Sequence, residues 1–394
     1  MKRLTFLLIL TLIGVPVASA APKAVAVKKL NLLAVNQDIE KLIVTGKTIV
    51  AVSNSDGANS NILLTGLDST GVQIWQKTID SGADEVALAA TTDPSGDIWL
   101  AGASAAVVVS DSATAPTQVE NPDGVVLEPV SKLRGDMNLL TLWKISAAGD
   151  VVATYTSALT APALINAISA NSSGVAIAGI VQERPFIQSV SAQGVFGKAV
   201  MIGSSKTSLN AIVRQSDGSI SVFGSSAETL GGKKLVGKRD GVLIKVSKTG
   251  AIASVVRSSA PKADRSWLDA DSSLALTGYV KTGKSIETAF TKFTSVFAPT
   301  WTMRFPSLGA SAIVSAGTTT YGAFSSKSAV TGVSGWRPTS PSLLLLAFDA
   351  KGVIINAYGS TEISEPISLA YSKELGLVGL ARMADQKLTL FKLS

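Results

Sequence analysis

Seven polar or aromatic residues sit at or near the starts of short apolar runs along the chain: Asp84 and Glu85, Asn166, Asn210, Arg265 and Trp267, and Glu365. Brought together they would bind a sugar or a peptide. The indole offers an apolar face, while the carboxylates, amides and guanidinium supply hydrogen bonds around it. Two of the acids at a fixed separation would also suit glycosidic hydrolysis, with Asp84, Glu85, Asp269 and Glu365 available. The plain alternative is that polar residues cap strand starts for backbone reasons. Asp269 falls within a strand, where a lone charge is costly. It is expected to be paired or to face water.

The 394 residues include no cysteine and no histidine. This rules out disulfides, thiolate or imidazole metal sites, a Cys nucleophile and His-based triads. No metal and no cofactor is expected. Gly232-Lys233-Lys234-Leu235-Val236-Gly237-Lys238 has the spacing of a phosphate loop, but Arg239 replaces the Ser or Thr that binds magnesium, and no helix follows. Ser259-Ala260-Pro261-Lys262 with Lys281-Thr282-Gly283 imitates penicillin-recognising enzymes, yet Pro261 opposes the helix they require. Asp56-Gly57-Ala58-Asn59 lacks the spaced carboxylates of a calcium loop, and Arg134-Gly135-Asp136 is too short a motif to establish adhesion.

Residues 1–20 read as a signal peptide. Lys2 and Arg3 precede the apolar stretch Leu4 to Val17, and Ala18-Ser19-Ala20 offers small residues for cleavage. The alternative is an uncleaved anchor. Later apolar runs are strand-sized, so no membrane span is expected after leader removal. The formal charge is +7, with Lys2 and Arg3 supplying two of the positive charges. Lys233, Lys234, Lys238 and Arg239 cluster without interleaved aromatics, and nucleic acid is not an expected partner.

The elements that must position the seven residues come from a repeat of about 50 residues. Apolar strands ending in a small residue recur at Ile98 to Gly102, Val175 to Gly179, Ile220 to Gly224, Leu274 to Gly278 and Leu377 to Gly379. Turns such as Asp93-Pro94-Ser95-Gly96 and Asn171-Ser172-Ser173-Gly174 precede them. After each comes a variable loop, a third strand, a Gly turn and a fourth strand, as in Leu63 to Leu67 and Val72 to Trp75. Four strands per unit without helices predict a β-propeller, in which the seven residues would stand near the mouth of the central channel. The units fall at 38–80, 81–160, 161–203, 204–258, 259–307, 308–360 and 361–394. The last lacks a fourth strand, which residues 25–33 would supply. The expectation is a single seven-bladed domain over 21–394, closed by that strand. An eighth blade or a pair of open sandwiches remains as an alternative. The longest variable loop, 104–137, is a stretch for mobility or function.

Asp68 to Trp75 and Asp240 to Gly250 resemble bacterial β-propeller repeats of the SBBP-like and PQQ-like kinds. The fifth unit departs most, with Val296-Phe297-Ala298-Pro299 where a Gly turn belongs. The resemblance implies a fold and little chemistry. The expected function is a non-enzymatic binding or scaffold module, secreted or at the cell surface. It would be a monomer, with cell-wall glycan, a peptide or another surface protein as partner. The alternative is a propeller enzyme acting on glycans or, further off, a quinone-dependent dehydrogenase. Against the latter stands the lack of the cysteines that many such enzymes pair.

Overall fold

The computed structural model describes residues 24–33, 38–55, 59–106 and 134–393. The leader expected over 1–20 and most of the loop expected over 104–137 lie outside them. Every regular element among the described residues is a β-strand, in keeping with β-branched and apolar runs broken by Gly, Asp and Ser turns.

Six sheets have four antiparallel strands each. Their innermost strands are Lys41–Thr45, Glu85–Thr92, Ala163–Asn171, Thr207–Arg214, Asp264–Ala270 and Ile363–Ser372. Each blade is called below by the first residue of that strand. A further sheet, the Ser311 sheet, contains Ser311–Ala316, Thr319–Ser326, Ser342–Phe348, Ile354–Ser360, Val25–Lys29 and Val333–Ser334 in spatial order. Inner strands touch in chain order around a ring, and Ile363–Ser372 meets Lys41–Thr45 to close it. The molecule is an all-β propeller.

The expected seven-bladed propeller, closed by residues 25–33 completing the last blade, is corrected: there are six four-stranded blades, not seven, and the remaining sheet has six strands. The cause is the N-terminal segment, which is not one strand completing the last blade. Val25–Lys29 runs parallel to Ile354–Ser360, with Val27 opposite Ala357 and Lys29 opposite Gly359. Its other side takes Val333–Ser334, also in parallel. Leu30, 1% exposed, anchors the change of direction between the two sheets. Only Asn31–Leu33 crosses over, antiparallel to Leu388–Lys392. A single segment therefore covers one sheet edge and completes the neighbouring blade.

The cores lie between neighbouring sheets. Val50 and Leu64 of the Lys41 blade pack with Leu100 and Trp143 of the Glu85 blade. Phe290, Phe305, Phe324 and Phe348 fill the joint between the Asp264 blade and the Ser311 sheet, with Phe305 and Phe324 stacked at 5.4 Å.

The glycine near the end of the second strand follows from the inner strand beside it. Beside four of these glycines the inner strand carries an extra residue, at Leu88, Asn166, Asn210 and Leu268. Each bulge presses a carbonyl against the partner strand. A Cβ on Gly102, Gly224 or Gly278 would overlap the carbonyl oxygen of Val86, Ser208 or Ser266, and one on Gly179 would stand 2.5 Å from that of Leu164. Only a hydrogen fits.

A second device repeats at the turns between third and fourth strands. Trp75, on the outer strand of the Lys41 blade, lies against Gly149 in such a turn of the next blade, and Trp301 lies likewise against Gly352. Both glycines have left-handed φ, +88° and +81°, so conformation and close approach both exclude a side chain. The Asp264 blade reverses the arrangement. Phe297 itself adopts φ +62° at the turn and packs its ring on Phe223 of the blade before, at 5.8 Å. The outer strand of that earlier blade, Ile252–Ser258, carries no aromatic residue, so the ring comes from the turn instead.

Candidate functional site: the central channel

The inner strands enclose a channel. Its part toward the strand starts is a cavity of about 310 Å³ whose wall includes Glu40, Lys41, Leu88, Asn166, Asn210, Asp269 and Ser368. Toward the strand ends it widens to about 570 Å³, bordered by Asp93, Asn171, Arg214, Asp271 and Tyr371.

The polar groups on this wall join blade to blade. Asn166 Nδ2 donates to Leu209 O at 2.8 Å. Asn210 Nδ2 donates to Trp267 O at 2.7 Å and to Ser266 Oγ at 3.0 Å. Leu209 and Trp267 immediately precede the bulged residues of their own strands. A bulge interrupts the ladder there, and the amide from the neighbouring blade supplies a partner to the buried carbonyl. Asn54 acts in the same way on Ala87, just before the bulge at Leu88, accepting from Ala87 N at 2.7 Å and donating to Ala87 O at 3.0 Å. Ser325 Oγ donates to Ser364 O at 2.6 Å in the last joint.

Asp269 completes the set with the opposite polarity. Its Oδ2 accepts from Ile313 N of the Ser311 sheet at 2.9 Å, and its Oδ1 from Ala270 N at 2.8 Å. Burial pushes this carboxyl up to about 6, with the nearby Asp271 charge adding to the shift and the two amide bonds opposing it. Burial also lowers the Lys41 ammonium, against the opposing charge of Glu40. The channel is therefore a polar, hydrogen-bonded lumen whose amides already have backbone partners.

Of the seven residues nominated from the sequence, Asn166 and Asn210 line this channel. The others lie elsewhere. Asp84 pairs with Arg134 and accepts from Ser60 N at 2.7 Å. Glu85, 2% exposed, borders a separate cavity of about 410 Å³ beside Asp80, Ser104 and Thr141. Its Oε1 accepts from Ser81 N at 3.0 Å, and its Oε2 is buried without a partner. Burial pushes this carboxyl up, and Asp80 and Asp84 add to the effect. Arg265 stacks over Trp267 at 4.6 Å, and burial, with the Arg304 charge, lowers it to about 10. Trp267 is fully buried between the Thr207 and Asp264 blades, 5.5 Å from Phe293. Glu365 faces Arg382 at 3.9 Å on the last blade.

Sequence reasoning passed over Asn54, Glu40, Lys41 and Ser368. Asn54 gave no signal because it lies on a second strand and reaches sideways into the next blade. Among the described residues, no group of three or more acidic side chains is placed to hold a metal ion. No helix among them is long and apolar enough to cross a membrane.

No family pattern and no curated protein matches the chain by sequence. Solved structures do match. A protein of Bacteroides uniformis, provisionally assigned as a 6-phosphogluconolactonase, is 11% identical over 89% of this chain and 93% of that chain, with a TM-score of 0.54. The WD40 domain of Toxoplasma gondii coronin is 12% identical over 94% and 88%, with a TM-score of 0.52. At these identities the likeness establishes the fold alone. The chain is a β-propeller. The finer resemblance to SBBP-like and PQQ-like repeats has no matching family behind it.

Proposed function

We propose that this propeller is a non-catalytic binding or scaffold module, exported and working outside the cell or at its surface on cell-wall glycan, a peptide or another surface protein. The observation that carries this reading is the engagement of its nominated polar groups in structural bonds. Asp84 is neutralised by Arg134, Asp269 is fixed by two backbone amides, and Asn166 and Asn210 hold the joints between blades. A general acid or nucleophile must instead be poised toward substrate. A closed ring joined in this way supports a rigid display surface. Lys2, Arg3 and the apolar run to Val17 support export.

The test pairs binding with turnover. Mature protein is screened against peptidoglycan fragments, neutral oligosaccharides and peptides by calorimetry, and against chromogenic glycosides for hydrolysis. Saturable binding without turnover is expected; turnover abolished by Glu85→Gln would replace the binding reading with an enzyme. That second reading has one observation in its favour, the upshifted Glu85 carboxyl sharing a cavity with Asp80. Export is tested by N-terminal sequencing of protein recovered from culture medium, expected to begin at Ala21.

A further inference from the structure

Three of the chain's five tyrosines converge on one cleft of about 730 Å³. Tyr321 and Tyr358 come from the second and fourth strands of the Ser311 sheet, and Tyr371 from the end of Ile363–Ser372. Burial raises the Tyr321 hydroxyl, and Tyr358 and Tyr371 add to the shift. Tyr371 also borders the wide end of the channel, so the cleft adjoins that mouth.

A core tyrosine finds a hydrogen-bond partner for its hydroxyl. These three are partly exposed, and none of their hydroxyls bonds to another group among the described residues. Asn31, Ser69 and Thr70 supply further hydrogen-bonding groups on the wall, while Leu33 and Leu377 supply apolar surface. One acid, Glu374, and one base, Lys392, lie on the wall, and Lys28 Nζ stands over the Tyr358 ring at 5.5 Å, leaving the other ring face for a ligand. The volume is in the range of small-ligand sites, roughly 300–1,000 Å³.

We infer that this cleft binds a neutral oligosaccharide, an assignment that rests on the binding-module reading above. A sugar ring has an apolar C–H face that stacks on an aromatic ring and a hydroxyl edge that meets amide and hydroxyl partners. A surplus of one cation does not suit a polyanion, whose binding needs several. Asn31 and Leu33 belong to the N-terminal segment, so the wall is complete only when that segment is docked.

The experiment is calorimetry of the mature protein with cellohexaose, chitohexaose and maltohexaose, beside a thymidine oligonucleotide of similar length. Binding of at least one saccharide is expected, insensitive to salt and weakened at least tenfold in Tyr358→Ala and in Tyr371→Ala. Tyr321→Phe keeps the ring and loses one hydroxyl, and is expected to weaken binding a few-fold. Circular dichroism and melting curves confirm that each variant is folded. Saccharide binding unchanged in all three variants overturns the cleft assignment but leaves the binding-module reading standing. Failure of all three saccharides, or binding of the oligonucleotide alone, overturns the assignment. The module reading itself falls only if the peptidoglycan and peptide screens are also empty.

Discussion

Asn210 holds the carbonyl of Trp267 at 2.7 Å across the joint between the Thr207 and Asp264 blades. The acceptor lies beside a bulge, and the donor is itself a bulged residue, so each irregularity serves the next. Asn210→Ala would leave that carbonyl with only the 3.3 Å bond from Ser266 Oγ, and Ser208 Oγ without its acceptor. A loss of about 1–3 kcal/mol is expected, read as a lower urea midpoint. An unchanged midpoint would show that water replaces the amide without cost.

Asp269 makes one joint sensitive to pH. Its carboxyl titrates near 4 in an unfolded chain and at about 6 in the folded protein. The folded chain therefore holds more protons between those values. The contribution of this group to stability is full below pH 4 and is lost as pH rises to 6. The size is roughly 2–3 kcal/mol at most, since the channel admits water. Urea midpoints of the wild type and Asp269→Asn, compared at pH 4, 5, 6 and 7, should diverge less in favour of the wild type as pH rises. A difference that stays constant with pH would contradict the assignment.

Phe297 occupies a turn position where φ is +62°, a conformation costing a non-glycine residue about 1–2 kcal/mol. Its ring is 4% exposed and packs on Phe223. Phe297→Gly relieves the backbone but removes a buried aromatic, a loss of about 3–5 kcal/mol. The packing term is larger, so the variant should be less stable by about 2 kcal/mol. A stabilised variant would mean that the ring contributes little to the joint.

The loop carrying Lys233, Lys234 and Lys238 is held by a buried ion pair. Arg257 Nη1 lies 3.1 Å from Asp240 Oδ2, with side chains 6% and 0% exposed. Asp240 also accepts from Val236 N at 3.0 Å and Gly237 N at 2.9 Å, and Arg257 donates to Glu228 O and to Lys233 O. Asp240→Ala would leave Arg257 buried without its counter-charge, a cost of about 3–5 kcal/mol. Trypsin should cut this loop faster in the variant, and equal cleavage rates would argue against the pair as its anchor.

The all-β propeller was legible in the repeated strand–turn pattern because alternation and turn residues are local properties, but the count of blades was not. The division of residues 25–33 between two sheets was not, since it depends on Leu30 finding a buried place between them. Asn166 and Asn210 were visible as polar residues in apolar strands, but their acceptors are main-chain carbonyls on other blades, which no side-chain pattern reveals. Trp267 looked like a binding surface and is core, because strand alternation specifies a face without saying whether a neighbouring blade covers it. The tyrosine cleft went unseen for a related reason: Tyr321, Tyr358 and Tyr371 come from three strands of two sheets.

The divided N-terminal segment has a consequence for intact molecules in concentrated solution. Release of residues 25–33 would bare two adjacent acceptors, Ile354–Ser360 and Leu388–Lys392, and free a donor that fits both. A donor from a second molecule would satisfy the same pairings. Reciprocal exchange would give a swapped dimer, and onward exchange an open polymer. A neighbour's donor therefore competes with the molecule's own segment whenever that segment is released, and the outcome depends on which encounter is faster.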